Sequence, residues 1–339
     1  MPANINEIRS DLASFVNKNP EAFQAALLSD SIFLSQYATR ITKVDGEFPA
    51  PIALLGNVVQ GFYAEKFTPF DDIIYKKKDI RTFRQKVDFV FNPSSILGTI
   101  YASKYDEGKK PEEKTISKQT FDMVIKKIIS DLDYLSVNAK YDSSKIGLDK
   151  PVFGVSMSGL NEVITKNGKD TNNPFYWIPG DAMTSSNNVD VITKFEKDLP
   201  TIAKPLIKQV FTSLEDKEEY QENYDDRFGS RPTFKDDDTV KTRFGKRELV
   251  GVPGLAKGTV YATLPNNFIE TVDIVENPGY ISDIQVVDRI IKILSDFSLG
   301  YDFFINQYTF MHTPDGSKNL GLNDSVQNKL FFPNESKLV

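Results

Sequence analysis

Apolar residues fall at spacings of three and four from Phe121 to Leu135, through Val124, Ile125, Ile128, Ile129 and Leu132. They line one face of about five helical turns. Lys118, Lys126, Lys127, Asp131 and Asp133 take the other face. Ser117 suits an N-cap, and Asp122 sits in the early turns, where a carboxylate meets the positive end of the helix dipole. The pattern predicts an amphipathic helix over residues 117–137. Upstream the period changes to two: Val87, Phe89 and Phe91 alternate with Asp88 and Val90, after Ile80 and Phe83, which predicts a strand over 79–91. A second extended stretch, 96–105, leads into Glu107-Gly108-Lys109-Lys110-Pro111-Glu112-Glu113, which is charged and turn-rich. Two strands joined by polar loops predict a projecting hairpin. The plainer reading is an edge hairpin charged against aggregation.

Residues 1–60 read as an arm with one or two short helices. Pro20 and Glu21 suit a first helical turn, and Phe23, Leu27, Leu28, Phe33, Leu34 and Tyr37 make an irregular apolar stripe. Phe48-Pro49-Ala50-Pro51-Ile52 breaks any helix and reads as an extended connection. From about 145 to 285 the pattern is mixed. A short strand is predicted at 152–155, helices at 189–199 and 201–214, and strands at 247–252, 259–264 and 266–272. Between them, 215–238 is strongly acidic, with Tyr220, Tyr224, Phe228 and Phe234 interleaved. Two apolar runs, 286–294 and 301–311, flank the breaker Ser298-Leu299-Gly300, and the tail from Thr313 is polar until Leu330-Phe331-Phe332-Pro333. No internal repeat is visible, which excludes solenoids and propellers.

Composition narrows the chemistry. The 339 residues include no cysteine, which removes disulfides, thiol catalysis and cysteine-held metals. One histidine, His312, leaves little for general-base or imidazole–metal chemistry, and is read as surface or hydrogen-bonded filler. Gly154-Val155-Ser156-Met157-Ser158-Gly159 misses the G-x-S-x-G spacing by one residue and reads as a glycine-bounded loop. No phosphate-cradling glycine loop occurs. Asp236-Asp237-Asp238 is contiguous and runs into Thr239-Val240-Lys241, unlike a calcium loop's alternating ligands, so it reads as solvated. A net charge of −6 argues against tight non-specific nucleic-acid binding, yet suits a wall that repels packed DNA. The aromatics, 25 Phe and 14 Tyr, serve deep cores and large interfaces equally well. Charges within the first thirty residues and the lack of a long apolar run predict a chain that stays in the cytoplasm where it is made.

The order of parts, together with Gly251-Val252-Pro253-Gly254-Leu255 before Thr259, then Asn266-Asn267-Phe268-Ile269 and Val272-Asp273, resembles the major capsid proteins of tailed bacteriophages with the Hong Kong 97 phage-like fold. The resemblance covers about residues 60–312. It implies an α+β fold divided into an N-terminal arm (1–60), an extended β-hairpin loop (61–116), a long spine helix with part of a peripheral domain (117–145), an axial domain (146–283), and peripheral-domain strands with a C-terminal tail (284–339). The implied function is self-assembly into pentamers and hexamers of an icosahedral head enclosing double-stranded DNA, with no catalytic residue, cofactor or metal. The hairpin would lie over a neighbouring subunit and the arm would clasp another. Inter-subunit contacts are expected from Lys76, Lys77, Lys78, Arg81, Arg84, Phe89, Lys109, Lys110, Glu112 and Glu113. Further implied partners are scaffolding, portal or decoration proteins and packaged DNA without sequence-specific binding, with no membrane. The arm is too short for a cleaved scaffolding extension, so any scaffold would be separate. The implied location is the virion capsid, after assembly in the host cytoplasm. Two other classes compete: a tail tube or ring protein, and a carboxylate enzyme such as a glycoside hydrolase with acids near Trp177 or Tyr176, where no pair stands out.

Overall fold

The computed structural model describes residues 32–54, 57–62, 67, 73–91, 115–229, 239–272, 280–287 and 290–338. The chain divides into two compact units. The first takes the described residues of Met1–Gly46, Thr82–Ser158 and Glu270–Gly300; the second takes those of Glu47–Arg81, Gly159–Ile269 and Tyr301–Val339.

The first unit holds the predicted long helix, α1 (Thr115–Asn138), and a five-stranded sheet. Ile128, Leu132 and Leu135 of the apolar stripe are buried, as the period requires. The helix begins two residues before Ser117, so that serine is not its cap. The sheet runs β1 (Thr39–Ile41), β10 (Phe268–Val272), β12 (Ile290–Phe303) and β11 (Tyr280–Val287), with β4 (Phe83–Phe91) also paired to β12. β12 passes straight through Ser298-Leu299-Gly300. Ser298 pairs with Arg84 and Leu299 with Phe83, so a continuous ladder overrides the local breaker signal. The described part of the arm packs within this unit. Ile32 and Leu34 are buried, the Phe33 N–H donates to Asp133 at 2.8 Å, and Glu270 accepts from Ser35 (2.6 Å) and Arg40 (2.7 Å). Residues 32–41 therefore pack against their own unit; the rest of the expected arm helices lies outside the described residues. The strand expected at 152–155 is a turn leading towards α2 (Leu160–Asn167).

The second unit is built on a six-stranded sheet in the order β5 (Tyr176–Pro179), β13 (Thr309–Thr313), β9 (Val260–Thr263), β6 (Gln209–Ser213), β8 (Glu248–Val252) and β7 (Val240–Lys241). Helix α3 (Asn188–Asp198) lies where predicted, and its Val189, Ile192 and Phe195 join Tyr176, Val210, Tyr220, Leu249 and Phe310 in one core. The second predicted helix does not form. Pro200 and Pro205 break residues 200–207 into turns, β6 follows, and Ser213 caps a later helix, α4 (Leu214–Phe228). The Ser213 hydroxyl accepts from the Asp216 N–H at 3.0 Å and donates to its carboxylate at 2.7 Å. The first part of the acidic stretch is thus a docked helix, with Tyr220 fully buried; Asp236, Asp237 and Asp238 lie outside the described residues. The polar tail forms α5 (Ser325–Phe331), capped by Asp324, and Phe332 packs edge-on against Tyr176, with ring centroids 5.0 Å apart.

Candidate assembly surfaces

The expected single strand over 79–91 is two strands. β3 (Ile74–Arg81) ends before Thr82, whose N–H bonds to Gly46 O at 2.8 Å, and β4 begins after it. β3 pairs not with 96–105, which lies outside the described residues, but with β2 (Glu47–Leu54), in the register Phe48↔Ile80 to Leu54↔Ile74. The supposed connection Phe48–Ile52 is therefore a strand. Pro49 and Pro51 sit two apart in a two-stranded ribbon, on its exposed face, where a missing N–H is tolerated at an edge.

Alternation within this hairpin separates a buried face from an exposed one. Ala50, Ile52, Leu54, Lys78 and Ile80 face inward, and Ile52 and Leu54 belong to the core of the second unit. Lys78, with its side chain 7% exposed, donates to Asp302 Oδ1 (2.7 Å), the Phe303 carbonyl (2.6 Å) and Asn306 Oδ1 (2.8 Å). Burial pushes its pKa below the usual lysine value, against the pull of Asp302. All three ammonium protons are used within the chain. Lys78, expected at an inter-subunit contact, is thus a buried anchor of the hairpin within its own unit.

The other expected contact residues scatter. Lys76 is half-buried and donates to the Asn172 carbonyl at 2.9 Å, while Lys77 is exposed, 3.6 Å from Asp79. Arg81 is exposed on β3; Arg84 is exposed, 3.8 Å from Asp296, and Phe89 is half-buried opposite Ile293. Lys109, Lys110, Glu112 and Glu113 lie outside the described residues.

Charge reasoning missed the apolar surface. The connection between β2 and β3 exposes Val59 (88%), Phe62 (96%) and Phe67 (91%), with Val58 and Ile73 also open to solvent, as are Ile74 and Tyr75 at the start of β3. The sequence signal was there: large apolar residues in a segment without helical or strand period. In the first unit, Tyr134 and Phe153 stack at 5.6 Å and are both exposed, near in sequence to exposed Ile146, Leu148 and Val152. Exposed apolar area on this scale marks surfaces that meet other molecules.

The residues considered for catalysis are otherwise engaged. Tyr176 is fully buried, and Lys318 lies over the Trp177 ring at 5.3 Å. His312 is buried, not a surface residue. Its Nε2 lies 3.0 Å from the Asp181 carbonyl, and burial lowers its pKa, with repulsion from Lys194 adding to that. Ser156 and Ser158 belong to the other compact unit. On α4, Asp216 accepts from the Gly258 N–H at 2.7 Å, and Glu219 is bound by Lys257 and Asn188, which hold its pKa below the usual carboxylate value.

No sequence family and no curated protein matches the chain. Solved structures do. The capsid of an empty GTA particle is 10% identical, covering 84% of this chain and 90% of that one at a TM-score of 0.52. The chain has the Hong Kong 97-like capsid fold. The capsid of a native GTA particle (9% identity, 84% and 90% covered, TM-score 0.51) and a structure of Gordonia phage Cozz (9%, 83% and 86%, 0.51) agree. At these identities the capsid fold is carried by patterning and packing, with only 9–10% of residues in common.

Proposed function

We propose that the chain is the major subunit of an icosahedral phage head. It works by symmetric self-association into pentamers and hexamers that close around double-stranded DNA, without a catalytic step. The observation that carries this reading is the β2–β3 hairpin: a base anchored in its own unit, and a connection that leaves Val59, Phe62 and Phe67 almost wholly exposed. An isolated soluble chain gains nothing from holding such apolar side chains in water, whereas a second copy covering them would gain roughly 1.5–3 kcal/mol for each one fully buried. The capsid fold over most of the chain supports the same conclusion. The net charge of −6 fits a wall that contains DNA without gripping it, so DNA contacts would be non-specific. Scaffolding, portal and decoration proteins would then be further partners, and the virion capsid the final location.

Replacing Phe62 and Phe67 together by serine tests this. Exposed side chains away from special features change stability by no more than about 0.5 kcal/mol. The double variant should therefore unfold as the parent does while sedimenting as free subunits. Assembly equal to that of the parent would remove the hairpin from the interface.

A further inference from the structure

Between α3 and β6 the second unit carries a fixed turn that offers aliphatic side chains to solvent. Ala203 and Ile207 are buried beneath it, the Thr201 N–H donates to Glu335 at 2.7 Å, and the Lys204 carbonyl accepts from Arg247 at 2.6 Å. Ile202 and Leu206 nevertheless stand exposed. Lysines crowd round them. Lys204 and Lys337 both donate to the Lys197 carbonyl, at 2.8 and 3.3 Å, and Lys197 and Lys208 are themselves exposed. The carboxylates nearby are already engaged: Asp198 is shared between Lys337 (3.7 Å) and Lys194 (4.0 Å), and Glu335 holds the turn. Burial, and then repulsion from Lys337, hold the pKa of Lys204 below the usual lysine value. Lys197 and Lys208 enter no ion pair among the described residues.

The opposite charge lies on the same unit. Glu218, Glu222, Asp225 and Asp226 of α4 are exposed, and spacings of four, three and one set them on one helical face, headed by exposed Leu214. Among the described residues none of these four carboxylates has a cation partner. In a single chain each of the two surfaces repels itself.

We propose that the 200–207 turn docks on the α4 face of a second copy, its lysines meeting the four carboxylates and its aliphatic side chains meeting Leu214. This contact rests on self-association as the function, and adds to the β2–β3 hairpin a surface that belongs wholly to the second unit. The two surfaces differ, so each copy gives its turn to one neighbour and its α4 face to another, an arrangement that closes into rings where the rotation permits. Complementary charge of this kind steers the encounter and fixes its register. Double-stranded DNA would also meet the lysines, but it gives Ile202 and Leu206 no apolar partner and leaves the α4 carboxylates unanswered.

The chain has no cysteine, so placed thiols report the contact cleanly. Thr201→Cys and Gln221→Cys go into separate full-length chains, beside the two surfaces and outside their charged sets. Treated with a short thiol–thiol cross-linker at neutral pH, an equal mixture should yield a mixed dimer whose counterpart neither chain gives alone. Lys197→Glu with Lys208→Glu in the Thr201→Cys chain should cut that product roughly tenfold or more, because like charges then face each other. Glu218→Lys with Glu222→Lys in the Gln221→Cys chain should restore it. No mixed dimer from a mixture that forms shells overturns this contact and leaves self-association standing; no mixed dimer from particles that stay single takes both down. A product indifferent to the charge reversal overturns the pairing. Lysines that hold added double-stranded DNA while giving no mixed dimer would belong to the packaged DNA, which also overturns it. The unreversed mixture decides the contact even where a reversed chain fails to fold.

Discussion

Replacing Arg247 by methionine should be among the costliest single changes in the second unit. Arg247 and Glu196 form a buried ion pair, with side chains 7% and 1% exposed and Nη1 3.1 Å from Oε1. The same guanidinium donates to the Lys204 carbonyl at 2.6 Å, and Thr242 donates to Glu196 at 2.8 Å. One pair thus fastens α3, the 200–207 turn that exposes Ile202 and Leu206, and the β7–β8 hairpin. Arg247→Met leaves the Glu196 carboxylate buried without its cation, which costs about 3–5 kcal/mol. For a unit of this size each kcal/mol moves the midpoint by roughly 2–4 °C, so a drop of roughly 6–20 °C is expected. Glu196 Oε2 and Arg247 Nε are buried without a hydrogen-bond partner among the described residues. The pair is therefore imperfectly compensated, and Arg247→Met with Glu196→Leu should recover most of the loss. Urea denaturation of the parent, both single variants and the double variant closes the cycle. A single-variant loss under about 1 kcal/mol, or a double variant as unstable as the two losses added, would refute the reasoning.

Stability should fall as pH drops through the histidine range. The folded pKa of His312 is lowered by burial and then by Lys194, so below about pH 6.5 the unfolded chain takes up the proton first. His312→Gln should flatten that part of the stability–pH curve measured by denaturation between pH 7.5 and 5, and an unchanged slope would contradict a buried neutral ring. Asp324→Ala removes the acceptor for the Val326 (2.9 Å) and Gln327 (3.1 Å) N–H groups, and should cost about 1 kcal/mol by denaturant midpoint. Lys77→Glu should leave folding unchanged, whereas Lys78→Glu should abolish the folded second unit by circular dichroism; equal behaviour would contradict the buried anchor.

What was legible in the sequence followed the strength of the period. Helix α1 announced itself through an unbroken stripe, and β8 and β9 through apolar runs split by Pro253-Gly254 and Gly258. Proline and glycine misled where pairing decided the outcome. Pro49 and Pro51 are compatible with a strand because they lie two apart in an edge ribbon, and Gly300 continues a strand because β12 has neighbours to bond. Three adjacent lysines looked equivalent, yet strand alternation places Lys78 on the face of Ile80 and Lys77 on the other. That was readable once 74–81 was known to be a strand. Its partners Asp302 and Asn306 were not, because more than two hundred residues of chain separate them from it. The acidic α4 was obscured for a different reason: only Asp216 and Tyr220 of its residues are fully buried, so its helical period is carried by too few apolar positions.

The measurement that bears most directly on self-association as the function is electron microscopy of the purified chain, alone and with any co-expressed scaffold, across concentration. The account predicts closed shells tiled by five- and six-fold clusters. Particles that stay single at every concentration, or that grow only as tubes, would contradict it.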